Sequence, residues 1–123
     1  MMKNKPFSIT GRIKSFKHAF HGLKLFFVIE HNGRIHAAAA VLAIVLSYYF
    51  QISRLEWLGI IGAIALVIIV EMLNTAIEKL ADVVSPSIHP QIKVVKDVAA
   101  SAVLIAAIFA VVVAMLVFLP KLF

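Results

Sequence analysis

With 123 residues, a net charge of +6 and no cysteine, the chain is too short for two domains and forms no disulfide or thiolate metal site. Its hydrophobic share is 63% and its mean hydropathy is +1.02. An ordinary soluble domain sits at roughly 45–50%, and here the excess falls in three blocks, which excludes a water-soluble domain and predicts a polytopic membrane protein.

Residues 1–7 read as a loose tail. Over 8–28 the apolar residues Ile9, Ile13, Phe16, Phe20, Leu23 and Phe27 recur every three or four positions, while Lys14, Lys17, His21 and Lys24 lie largely off that face. A basic helix with such an apolar side lies in the membrane surface rather than crossing it. It is not the short apolar core with a small-residue cleavage site of a signal peptide. Lys3, Lys5, Arg12, Lys14, Lys17, Lys24 and Arg34, seven of the twelve Lys and Arg, precede the first apolar block. That asymmetry predicts a cytoplasmic N-terminus and anionic lipid headgroups, not nucleic acid, as the partner of the positive charge.

Glu30 to Arg34 interrupts the pattern, and Gly33 is expected to permit a bend. Span 35–50 follows. A polar turn with Arg54 and Glu56 leads to Trp57, an interfacial aromatic, and to span 58–81. Residues 83–90, with Ser85-Pro86 and His89-Pro90, form a loop, and 91–118 is the third span. Ala102, Ala106, Ala110 and Ala114 form a small-residue ridge along it, where a second helix can approach closely. The expected architecture is all-α: one membrane domain over 1–123, with a surface helix and three transmembrane helices. Three helices enclose a charged site poorly, so an oligomer is expected.

The second span ends in Glu71-Met-Leu-Asn-Thr-Ala-Ile-Glu-Lys-Leu-Ala-Asp82. At about 100° per residue, Glu71, Asn74, Glu78 and Asp82 share one stripe, with Glu78 roughly 10 Å along the axis from Glu71. Acids at membrane depth are costly and usually face a protein interior or a water-filled cavity. The topology brings Glu30, Glu78, Asp82, His89, Lys96 and Asp97 to the cytoplasmic rim, with Glu71 about two turns deeper. Glu30 and Glu78 offer oxygen ligands to Mg²⁺, which takes one or two carboxylates and completes its shell with water and phosphate. Lys96 suits a phosphate, and Asp82 and Asp97 suit the lysine, a ribose or the metal shell. Asn74 can fix a carboxylate or a hydroxyl, and Glu71 is placed to act as general base toward an alcohol at headgroup level. These parts add up to phosphoryl transfer by positioning and charge neutralisation. No nucleotide-binding glycine motif occurs, so ATP is expected on carboxylate-held metal and a few cations. His18, His21, His31 and His36 read as interfacial or packed histidines.

The stripe Glu71-x-x-Asn74-x-x-x-Glu78-x-x-x-Asp82, together with Gly22-Leu23, Glu30, Lys96-Asp97 and the Ala-rich third helix, resembles the prokaryotic diacylglycerol kinase family of small membrane lipid kinases. The similarity runs over about 16–107. It implies Glu71 as catalytic base, Glu30 and Glu78 as metal- and ATP-binding glutamates, and Asn74, Asp82, His89, Lys96 and Asp97 at active-site or nucleotide-contacting positions. It also implies a homotrimer with sites shared between subunits, in the bacterial cytoplasmic (inner) membrane. Arg34-Ile-His36 after Glu30, Ser53-Arg-Leu-Glu-Trp57 and Ser85-Pro86 before His89-Pro90 look like the Gram-positive-type branch, whose members often phosphorylate undecaprenol rather than diacylglycerol.

Two other function classes compete. A small ion or proton carrier needs polar groups through the full membrane thickness, and the outer halves of the helices lack acids. A non-catalytic membrane assembly protein would use the alanine ridge but leaves the acidic stripe without a reason.

Overall fold

The computed structural model describes residues 6–123, so most of the tail read at 1–7, with Lys3 and Lys5, lies outside the described residues. Four α-helices follow one another: α1 (Ile9–Lys24), α2 (His31–Tyr49), α3 (Arg54–Val84) and α4 (Pro90–Leu122). One turn of π-helix, Leu25–Ile29, prolongs α1, and no strand occurs among the described residues.

The helix starts have local causes. Ser8 Oγ accepts from the Gly11 N–H at 3.0 Å and opens α1. Ser53 and Glu56 cap α3 reciprocally: the Glu56 N–H donates to Ser53 Oγ at 3.2 Å and the Ser53 N–H to Glu56 Oε1 at 2.9 Å. The helix therefore begins at Arg54, ahead of the apolar run from 58. His89 Nδ1 accepts from the Gln91 N–H at 3.2 Å, and Pro90 fills the first position of α4, where its missing N–H costs nothing.

Gly33 departs from its expected role. The chain bends at Glu30, and Gly33 is helical and buried in the first turn of α2. Its need is for space: a Cβ there would collide with the Phe26 carbonyl of the π turn. Close approach, not backbone freedom, demands the glycine.

Helices α2, α3 and α4 pack antiparallel in sequence, α3 against α4 along their length and α2 against α3. Ala63, Ala81, Ala99 and Ala106 are buried, so small side chains let the backbones approach. The expected alanine ridge is only partly on this seam. Ala106 is buried and Ala110 and Ala114 are half-buried, but Ala102 is exposed. A strict four-residue repeat gains about 40° per step around a helix, and the inward line instead alternates steps of three and four through Ala99, Val103, Ala106, Ala110, Val113 and Val117.

Far from the α3–α4 loop, Ile52, Ile60 and Val117 form a closed cluster flanked by Phe50, Trp57 and Phe118. Trp57 meets the Tyr48 ring edge-on at 4.9 Å between centroids, and Lys121 pairs with Glu56 at 3.2 Å. Helices α3 and α4 are each long and apolar enough to cross a membrane. The apolar stretch of α2 is shorter, because Arg34 and His36 occupy its opening turns. Large apolar side chains such as Leu58, Leu104 and Leu116 stay exposed, a surface suited to lipid or a second copy rather than water. On α1, Ile9, Ile13, Phe16 and Phe20 are likewise exposed.

Candidate active site

The acidic stripe of α3 divides in two. Glu71 and Asn74 are 7% and 8% exposed, whereas Glu78 and Asp82 are exposed. Glu71 lies where α2 and α4 both flank α3; Glu78 and Asp82 lie level with or beyond the start of α2, where that cover ends. The buried carboxylate has one partner. His36 Nε2, from the second turn of α2, lies 2.8 Å from Glu71 Oε1. An ionised carboxylate only accepts, so the tautomer with hydrogen on Nε2 is the one that donates here. His36, read from sequence as a packed or interfacial histidine, is thus the nearest polar neighbour of the deepest acid.

One turn on, Asn74 Nδ2 donates to Glu78 Oε1 at 3.1 Å. Asn74 Oδ1 is buried and has no hydrogen-bond partner. The carboxylate on Nδ2 fixes the amide's orientation, so this oxygen is a true unfilled acceptor. Buried polar atoms are nearly always satisfied, and an exception at a site asks for a donor from outside the chain.

At the rim, Glu30 caps no N–H of α2 with its side chain and instead takes Lys79 Nζ at 2.8 Å. Lys79 follows Glu78 in sequence, so Glu30 reaches the level of Glu78 without touching it. Sequence reasoning did not single out Lys79; nothing in a lone lysine beside a glutamate signals a partner on another helix. Lys96 Nζ meets Asp82 Oδ1 at 2.6 Å across the α3–α4 loop. Asp82, His89 and Lys96 line a pocket of about 330 Å³ with Ser85, Ser87 and Lys93. Asp97 faces out and pairs with Lys93 at 2.7 Å along α4. The structure therefore joins Glu71 to His36, Asn74 to Glu78, and Asp82 to Lys96 and His89. It joins Glu30 to Lys79, and leaves Asp97 apart from the pocket's acid.

No group of three or more His, Asp and Glu close enough to enclose a metal occurs among the described residues. Magnesium asks less of a protein, since one or two carboxylates suffice when phosphate and water complete the shell. The side chains of Glu30, 29% exposed, and Glu78 are hard oxygen donors at the open rim, and that donor chemistry fits the ion.

A second groove, about 250 Å³, opens beside His36 between α2, α3 and α4. His36 is its one ionisable lining residue; the rest are aliphatic, among them Ala39, Ala40, Ile64 and Ala110.

The chain is similar to known proteins over most of its length. The family model described as prokaryotic diacylglycerol kinase matches residues 17–118. An undecaprenol kinase of Bacillus subtilis is 38% identical over 109 residues, covering 89% of this chain and 89% of that protein. A diacylglycerol kinase of Escherichia coli K12 is 32% identical over 111 residues, covering 90% and 91%. A diacylglycerol kinase of Synechocystis is 38% identical over 109 residues, covering 88% of this chain and 62% of the longer relative.

Proposed function

The chain belongs to the prokaryotic diacylglycerol kinase family and is a lipid kinase, and we propose that it transfers the γ-phosphate of ATP to the hydroxyl of undecaprenol. The observation that carries the chemistry is Glu71: a carboxylate 7% exposed within a helix long and apolar enough to span a membrane, about two turns from an open rim of acids and lysines. The resemblance of the Arg34–His36 and Ser85–Pro90 stretches to the Gram-positive-type branch favours the polyprenol. The diacylglycerol kinases among the relatives support diacylglycerol as the second reading.

In this reading the lipid hydroxyl lies between Glu71 and the rim. Glu71 takes its proton as the alcohol oxygen bonds to the γ-phosphorus and the bond from that phosphorus to the β,γ-bridging oxygen breaks, releasing ADP. Asn74 Nδ2 steadies Glu78, and Asn74 Oδ1, which lacks a donor within the chain, is left for a water or a substrate group other than the reacting hydroxyl, whose single proton goes to Glu71. The axial separation of roughly 10 Å between Glu71 and Glu78 leaves room for hydroxyl and phosphoryl group. Lys96, with Lys93 and His89 at the start of α4, receives the polyphosphate, where the cationic side chains and the positive end of the helix dipole favour an anion. Asp82 holds Lys96 in place, and Asp97 reaches the pocket only through Lys93, with which it pairs. Glu30 and Glu78 would hold Mg²⁺, whose contribution when bound is to neutralise charge on the phosphates.

The same reading puts the chain in the bacterial cytoplasmic membrane with its N-terminus inside, α1 on the surface and α2, α3 and α4 spanning. It assembles as a homotrimer, a neighbour covering part of the exposed apolar surface. The test is phosphorylation of undecaprenol and of diacylglycerol, each in its own detergent micelles, with radiolabelled ATP. Label in undecaprenol phosphate is expected. Label in phosphatidic acid alone shifts the assignment to diacylglycerol, and label in neither rejects both.

A further inference from the structure

We propose that His36 is a positioning residue for the phosphoryl transfer: its Nε2–H holds one oxygen of Glu71 so that the other stays aimed at the lipid hydroxyl. The inference rests on Glu71 being the base. A glutamate has several side-chain rotations, and its two oxygens are equivalent until something distinguishes them. Here one does: Glu71 Oε1 takes the 2.8 Å contact with His36 Nε2, and no hydrogen bond reaches Oε2 among the described residues. A base must lie within hydrogen-bonding reach of the proton it removes, and misplacement by about 1 Å can cost on the order of 100-fold in rate.

The surroundings leave His36 alone in this duty. His36 is the one hydrogen-bond partner of the Glu71 side chain, and the groove beside His36 is aliphatic apart from the ring itself. The other cations near the site are engaged elsewhere: Lys79 with Glu30, Lys96 with Asp82 and Lys93 with Asp97. His36 comes from α2 and Glu71 from α3, so the pair also sets the distance of the base from a helix it does not belong to. A hydrogen bond made only to clamp two helices would raise stability and leave the chemical step unchanged. A positioning bond predicts a loss in the chemical step that stability does not explain.

The experiment uses the full chain in undecaprenol micelles with Mg-ATP. His36→Ala is expected to lower kcat by roughly 10- to 100-fold, the scale of a misplaced catalytic group, with the KM for Mg-ATP unchanged. His36→Gln, which keeps an N–H donor at similar reach, should recover most of that loss. Added imidazole should partly restore His36→Ala, because the 250 Å³ groove opens beside the vacated position. Wild-type kcat in His36→Ala, with Glu71→Gln inactive, overturns the positioning role and leaves Glu71 as base. Equal losses in the Ala and Gln variants, tracking thermal stability and deaf to imidazole, reduce the pair to a helix clamp. Turnover by Glu71→Gln itself overturns the base assignment and this inference with it.

Discussion

The two ends of the helical hairpin use the same residue types to opposite effect. Away from the loop, Glu56 is satisfied three ways: it closes the cap with Ser53 and takes Lys121. Its neighbours Ile52, Ile60 and Val117 are closed off, with aromatic rings around them. At the loop end, Glu30, Glu71 and Asp82 each have one partner, always from another helix, and Asn74 Oδ1 has none. One end is finished by its own chain. The other leaves acceptors and a cation-rich pocket for something that arrives later. Exposed ion pairs add little to stability, so the pairs of the loop end are better understood as groups held ready than as struts.

Substitutions at both ends sharpen that contrast. Glu71→Gln removes a proton acceptor and little shape, and should lower turnover by roughly 10²- to 10⁴-fold, the usual worth of a general base, in a steady-state lipid kinase assay. Glu78→Ala should raise the KM for Mg-ATP by about tenfold, on the order of one charge-assisted contact, with a smaller fall in kcat. An unchanged KM would remove Glu78 from the metal site. Gly33→Val drives a side chain into the Phe26 carbonyl. It should cost about 1–3 kcal/mol, as overpacking does, seen as a lower unfolding temperature in detergent. Lys121→Ala, at the finished end, should leave turnover at the wild-type level and lower the unfolding temperature less than Gly33→Val does. A catalytic loss there would break the division between the ends.

How much of this was legible in the sequence follows from which interactions are local. Periodicity gave the helices, and Ser53 with Glu56, three residues apart, carries the start of α3 on its face. The stripe Glu71, Asn74, Glu78, Asp82 needs only the geometry of one helix. What one helix cannot tell is which neighbour stands opposite. His36 and Glu71 are 35 positions apart, and their contact depends on the register of α2 against α3. Lys79 and Glu30 meet for the same reason. The alanine ridge misled by its regularity, because a four-residue repeat drifts off the seam and leaves Ala102 outside. Gly33 reads in the sequence as a residue that permits a bend, yet its neighbour in space, not its own backbone, sets the requirement.

The most direct test loads wild-type protein and Glu71→Gln with radiolabelled Mg-ATP, adds undecaprenol micelles and follows a single turnover. Wild type should pass the bound label into the lipid, and Glu71→Gln should hold the nucleotide as tightly while the label stays in ATP. Label reaching the lipid at the wild-type rate in Glu71→Gln would contradict a division in which the rim binds and the buried carboxylate takes the proton.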